Sequence, residues 1–289
     1  MKLPAYWSKA TAEDVGPKGK PVAFTCWRSS DSSDDDARQS ALAAAKRAVA
    51  DFLAGRRREH YAYWEAPIRE EVIERHAAPG GELIAAVTRN PYGSLVLNAA
   101  RVMFVDLDFP RLSLGQRFMY LLPLRLFGWS ERAAEERTER EECAKWKAFL
   151  DKHPGWSSRI YRTRAGLRAL VTHDLFDPAS EQTLTLLREA DCDPLYVRLC
   201  KAQQCFRARL TPKPWRCGHR DMGVRWPYET PEKQQRFEAW RKAYDACQSG
   251  YATCRFLGAV GSGRVHPEAQ TIIDLHDKAT RCGEPLELA

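Results

Sequence analysis

Asp106-Leu107-Asp108 sets two carboxylates two residues apart at the end of an apolar lead-in, Val102 to Val105. Alternate residues of a strand point to one face, so both carboxylates can approach a single site. Two acids facing a core cannot both stay ionised cheaply without a cation. Mg²⁺ or Mn²⁺, which prefer oxygen ligands, answer that need. The ordinary alternative is a strand end where both acids meet solvent or pair with arginines. Downstream, Arg162, Arg164, Arg168, Arg207, Arg209 and Lys213 supply cations. Acids that hold metal ions, with cations around phosphates, are the inventory of phosphoryl transfer. The sequence contains no Walker-type phosphate loop, no nucleotide-binding GxGxxG and no nucleophile elbow. His153, His173 and His219 lack a partner pattern and read as structural or exposed.

The elements that position these residues follow from periodicity and punctuation. The first twenty residues, rich in Pro, Gly and Lys, read as a loosely held lead-in, and Pro21 to Trp27 as a short buried strand. Ala37 to Leu53 is dense in helix formers and ends at Gly55, before the basic run Arg56 to Arg58. Pro67 is expected to open a helix through Ile68 to Arg75. Two apolar runs, Glu82 to Val87 and Ser94 to Leu97, are joined through the turn Asn90-Pro91-Tyr92-Gly93. Arg101 to Phe109 is a strand that Pro110 ends, Leu112 to Phe127 is apolar, and Glu131 to Leu150 is a charge-laced helix. Arg159 to His173 reads as strand, turn, strand, with Ser180 to Ala190 helical after it. The chain is expected to be helical again over Glu232 to Cys247 and Pro267 to Arg281, with glycines 258, 261 and 263 between them. Helices interleave with hairpins and no βαβ series appears, which argues an α+β fold with a largely antiparallel sheet and a helical C-terminal part.

The order of motifs resembles the archaeo-eukaryotic primase superfamily, in particular its primase-polymerase branch. The resemblance runs over residues 101–216: an acidic pair on a strand, the hairpin Tyr161 to His173, then Asp193-Pro194-Leu195-Tyr196 and Cys205-Phe206-Arg207-Ala208-Arg209 with Lys213. It implies that Asp106, Asp108 and Asp193 are catalytic, metal-binding residues, with Asp191 the fallback for the third. It implies that Arg207 and Lys213 meet the triphosphate of an incoming nucleotide. Where the family has Ser-x-His, this chain has Gly166-Leu167-Arg168. Arg168 is therefore the expected phosphate partner at that place, since guanidinium binds oxyanions well. The fold implied is a primase-like catalytic core with an RRM-like antiparallel sheet over residues 21–216, after a lead-in of 1–20 and before a helical C-terminal extension of 217–289. The activity implied is metal-dependent nucleotidyl transfer on nucleic acid, with a single-stranded template and nucleoside triphosphates as partners. The alternatives are a non-catalytic nucleic-acid or nucleotide-binding module of the same fold, and a metal-dependent nuclease.

Composition narrows the setting. The chain has 289 residues, 44% hydrophobic and 29% charged, with a formal net charge of +7. That is globular composition with a mild basic excess compatible with polyanions. The strongly apolar stretch from Phe118 to Trp129 contains Arg125 and is too short to span a bilayer, and the N-terminus lacks an apolar signal core. No membrane partner and a cytoplasmic location are expected. Nine cysteines without any CxxC read as reduced thiols. Zinc at Cys217, His219, Cys247 and Cys254 is the lesser metal expectation, because their spacing matches no common finger or ribbon. Trp215, Trp226 and Trp240 sit among Arg216, Arg220, Arg225, Arg236 and Arg241. Such a mixture suits single-stranded nucleic acid and an ordinary core with a basic rim equally well. Helical spacing from Phe237 and Tyr244 assigns Trp240 to a core.

Overall fold

The computed structural model describes residues 1–56, 68–110 and 131–289, so the apolar run Leu112 to Phe127 and the mixed residues 62–67 lie outside them. The chain opens with a hairpin, β1 (Tyr6–Val15) against β2 (Pro21–Ser30), paired from Tyr6↔Ser30 to Val15↔Pro21. The residues expected to form a loose lead-in are therefore largely strand. Pro4 lies ahead of the strand, and Gly16, Pro17 and Gly19 sit in the turn after it. The turn-forming composition surrounds the strand rather than interrupting it. Helix α1 (Asp34–Leu53) covers this hairpin with a stripe of small side chains, Ala37, Ala41, Ala44, Ala45 and Ala48. Its N-cap Ser33 accepts from the Asp36 N–H. A small core of Ala12, Ala45 and Val49, with Phe24 and Cys26, holds the two layers together.

Two antiparallel four-stranded sheets form the body. The first has the order β3 (Glu71–Ala77), β4 (Leu83–Arg89), β5 (Leu95–Ala99), β9 (Phe206–Arg209). Glu71–Ala77 is strand where a helix through Arg75 is expected. Pairing against β4, from Glu71↔Arg89 to Ala77↔Leu83, overrides the proline signal, and Val72 and Ile73 suit a pleated edge. The turn between β4 and β5 falls at the expected Asn90 to Gly93, with Gly93 at φ +96 and the Asn90 side chain accepting from the Tyr92 and Ser94 N–H groups.

The second sheet has the order β11 (Cys254–Gly261), β7 (Ser157–Thr163), β8 (Gly166–Val171), β6 (Phe104–Asp108). Residues 217–289 thus hold more than helices. Between α5 (Pro231–Gln248) and α6 (Pro267–Thr280) the chain returns to the sheet as β11 and pairs with β7 from Cys254↔Thr163 to Gly261↔Ser157. The glycines that suggest a linker serve the strand. Gly258 sits beside the register shift, and at Gly261 a Cβ would meet the Trp156 carbonyl at 2.1 Å. Two-residue segments, β10 (Tyr251–Ala252) and β12 (Glu287–Leu288), pair in parallel near the end.

Helix α2 (Glu131–Asp151) packs against the second sheet, where the Trp146 indole donates to Ser158 Oγ at 2.8 Å. Helices α3 (Glu181–Glu189) and α4 (Pro194–Gln203) follow β8 and pack on each other. One continuous core joins both sheets through Leu97, Phe104, Leu167, Leu184, Phe206 and Ile272. The protein is α+β with antiparallel sheets. Among the described residues no helix is long and apolar enough to cross a membrane.

Candidate functional site

The register of the second sheet sets the site. Asp106 lies opposite Arg168 on β8, and Arg168 opposite Tyr161 on β7, so the three share one face. Asp108 lies opposite Gly166. A Cβ on Gly166 would meet the Leu107 carbonyl at 2.2 Å and Asp108 Cα at 3.0 Å. The glycine at the head of Gly166-Leu167-Arg168 therefore permits a backbone approach that a serine there would block.

Arg168 is 6% exposed. Its Nη1 donates to the Arg209 carbonyl at 3.1 Å, tying the two sheets together, and lies 3.1 Å from His276 Nε2 on α6. His276 Nδ1 lies 2.9 Å from Asp277, whose carboxylate also accepts from Tyr161 at 2.7 Å and Arg159 at 2.6 Å. A neutral ring that donates from Nδ1 and accepts at Nε2 satisfies both contacts. Burial pushes the His276 pKa down to about 4, against the Asp277 hydrogen bond, and the neighbouring Arg168 adds to the fall.

Asp193 is the N-cap of α4, and its carboxylate accepts from the Leu195 N–H at 3.0 Å. Its backbone N–H donates to the Asp106 carbonyl at 3.0 Å, so the cap is docked on β6. Burial raises the Asp106 pKa. Arg168 and Arg209 oppose the rise, and the charges of Asp108 and Asp193 add to it. The three sequence-predicted acids therefore share one electrostatic environment. Asp191 does not join them: it is the left-handed residue just past α3, at φ 57, and its charge acts on Lys145.

Cations face the acids. Burial lowers Arg209 to about 10, helped by Arg168 and Arg216 and opposed by Asp106. Lys213 is lowered by burial and by Arg209 and Arg216, with Asp108 and Asp106 opposing. Arg216 is lowered by burial and Arg164, with Asp108 opposing. Among the described residues, the charged groups of Asp106, Arg209, Lys213 and Arg216 have neither a hydrogen bond nor an ion pair. Arg207 is placed differently. Its guanidinium takes both carboxylate oxygens of Glu70, at 2.8 and 2.7 Å, and also Gln203 at 2.9 Å. Of the two arginines on β9, Arg209 rather than Arg207 borders the acids. FRAR puts both on one face of the strand, so alternation alone does not separate them.

All-oxygen donors such as these suit a hard divalent ion. Among the described residues no three His, Cys, Asp or Glu side chains are gathered closely enough to hold a metal. The zinc candidates divide: Cys217 feels the charge of Cys247, while Cys254 Sγ lies 3.9 Å from His276 Nε2. His173 packs on Trp156 at 4.7 Å, and His219 packs against Trp240 and Tyr244. Trp240 stacks on Tyr244 and Phe237, as its helical spacing implies. Residues that sequence reasoning missed are His276 and Asp277, which brace Arg168 from a helix more than a hundred positions away and carry no local signal. Family models, curated proteins and solved structures offer no match to the chain.

Proposed function

We propose that the chain is a metal-dependent nucleotidyltransferase acting on nucleic acid, of the primase-polymerase kind. The observation that carries this reading is the partly buried, unpaired Asp106 carboxyl, which shares its electrostatic environment with Asp108 and Asp193 and with the unpaired cations Arg209, Lys213 and Arg216. Unpaired charge of both signs, held side by side and partly withdrawn from water, costs stability unless a ligand completes it. A nucleoside triphosphate with divalent ions has the matching charges.

Asp106, Asp108 and Asp193 would hold Mg²⁺ or Mn²⁺ once drawn together from their present spacing, and the ion would activate an attacking hydroxyl and steady a leaving pyrophosphate. Arg209, Lys213 and Arg216 neutralise the phosphates and orient the chain of the nucleotide. Arg168, held by His276 and the Arg209 carbonyl, keeps a fixed positive charge beside Asp106 and favours its ionised form. Arg207 keeps its place in the fold through Glu70 and has no part in these steps.

The test is incorporation of labelled nucleotide by the purified chain with Mn²⁺, primed or bare single-stranded templates, and mixed NTPs and dNTPs. Wild type incorporates label, and Asp106→Ala loses it by orders of magnitude while circular dichroism stays unchanged. A wild type that incorporates nothing yet retains nucleic acid on a filter overturns the reading in favour of a binding module. That second reading draws on Gly166, where the backbone approach excludes the serine of the Ser-x-His element. Shortening of a labelled strand without NTP points instead to a nuclease.

A further inference from the structure

Tyr92 and Trp215 are exposed at 46% and 49%, and their rings stand perpendicular with centroids 5.2 Å apart. They come from different parts of the chain, on two loops that hydrogen bonds lock together. Ser94 Oγ donates to the Pro212 carbonyl at 2.8 Å, and the Leu95 N–H donates to Thr211 Oγ1 at 2.8 Å. The Tyr244 hydroxyl donates to the same Pro212 carbonyl at 2.6 Å. Beneath Tyr92, Gly93 lies so flat on the Trp240 indole that a Cβ there would approach it to 2.1 Å. The aromatic pair is therefore fixed before any ligand arrives, which removes the ordering cost of forming it on binding.

Cations accompany the pair. Lys213 Nζ stands 5.4 Å from the Trp215 ring centre, and Arg216 follows Trp215 directly. Trp240, on which Gly93 lies, donates from Nε1 to the carbonyl of Arg220, an exposed residue. Among the described residues, the side chains of Lys213, Arg216 and Arg220 have no hydrogen-bond or ion-pair partner. Exposed aromatic faces interleaved with free cations are the arrangement that grips a nucleic-acid strand, through base stacking and phosphate contact. Lys213 and Arg216 come from the Trp215 loop and Arg220 from the segment bonded to Trp240, so the cations are distributed over two segments, which suits a strand carrying several phosphates.

We propose that Tyr92 and Trp215 form a stacking platform for a base of single-stranded nucleic acid whose phosphates are met by Arg220, with Lys213 and Arg216 shared with the triphosphate site. The proposal rests on the reading of the Asp106 site as a nucleotidyl-transfer centre and names where its strand enters.

The test is fluorescence anisotropy of a labelled single-stranded oligonucleotide with the full chain in EDTA, without nucleotide. Trp215→Ala weakens binding about tenfold or more, Trp215→Phe restores most of it, and Tyr92→Ala weakens it in the same direction. Arg220→Ala lowers the slope of log affinity against log salt by about 0.7. Both aromatic side chains are exposed, so unchanged melting curves are expected and separate a binding loss from a folding loss. Equal strand affinity in wild type and Trp215→Ala overturns the platform. So does a loss confined to mononucleotide affinity, which assigns the rings to the incoming base. Binding of a nucleoside triphosphate in Mn²⁺, measured on wild type by equilibrium dialysis, decides the transfer-site reading separately. Strand binding that depends on Trp215 without triphosphate binding removes that reading and leaves the platform standing.

Discussion

Two guanidinium groups on β9 (Phe206–Arg209), two residues apart on one face, have opposite surroundings. Arg207 is clamped by both oxygens of Glu70 and by Gln203, and Thr88 Oγ1 donates to the same Glu70 carboxylate at 2.6 Å. Arg209 is partly buried, has no hydrogen bond or ion pair from its guanidinium among the described residues, and is pushed down to about 10 by burial and by Arg168 and Arg216. The first group completes a buried network, where removing either partner strands the other. The second lacks a partner within the described chain, and so do Lys213 and Arg216 beside it. Charge that is satisfied internally belongs to the fold, and the unsatisfied cations are the ones the proposed nucleotide site would use.

Substitution at the two positions gives the largest effect that tests this contrast. Arg207→Ala leaves the Glu70 carboxylate buried and uncompensated, and is expected to cost about 3–5 kcal/mol in urea unfolding. Adding Glu70→Gln recovers part of that loss, because the stranded charge goes with it. Arg209→Met keeps the bulk of the side chain and changes stability little, yet lowers nucleoside triphosphate affinity about tenfold to a hundredfold. If Arg209→Met unfolds the protein as readily as Arg207→Ala, the two regions are alike and the contrast fails.

The next effect in size concerns the paired network that reaches Arg168. His276 is fully buried and its pKa falls from near 6.5 to about 4. A histidine held neutral in the fold takes up its proton more readily when unfolded. Stability is therefore full above pH 6.5 and declines as pH falls from 6.5 towards 4, by about 3 kcal/mol from this group. Urea titrations across that window measure the slope. His276→Gln begins less stable at pH 7 and shows a flatter decline, and an identical slope in both proteins removes His276 as the cause.

Which parts of this arrangement were legible beforehand follows from the kind of signal each carries. The strand Phe104–Asp108, the hairpin Ser157–Val171 and the turn at Asn90 to Gly93 are written in alternation and turn residues, and the structure has them there. The antiparallel α+β character follows from the same local order. Glu71–Ala77 and Cys254–Gly261 escaped because a proline and a group of glycines suggest other things locally, and only pairing with β4 and β7 decides them. The candidate acids were legible to different degrees: spacing puts Asp106 and Asp108 on one face, while Asp193 enters only through the order of motifs. The pairing of Arg207 with Glu70 was not legible, because the two are remote in sequence. Nor was the brace from His276 and Asp277, a pairing that exists only once α6 lies across the sheet.

The smallest expected effect is also the one with an unusual sign. Burial and the charges of Asp108 and Asp193 raise the Asp106 pKa, with Arg168 and Arg209 opposing. An acid whose folded pKa lies above its unfolded value weakens the fold as pH rises from the unfolded value to the folded one, and the penalty is constant beyond. Asp106→Asn keeps the shape and removes the charge. It should therefore match wild type below the unfolded pKa and become more stable above it, by about 0.5–2 kcal/mol, the usual gain when a strained functional residue is relaxed. Mn²⁺ supplies the discriminating half of the measurement. A cation that binds only the folded protein stabilises it by RT ln(1 + L/Kd), with L the free cation concentration, so wild type should gain on Mn²⁺ addition and the asparagine variant should gain far less. A variant less stable than wild type at neutral pH would mean that Asp106 is compensated like Glu70, and the difference between the two regions of the molecule would disappear. A variant more stable without metal, and overtaken by wild type with it, is what a carboxylate retained for a cation predicts.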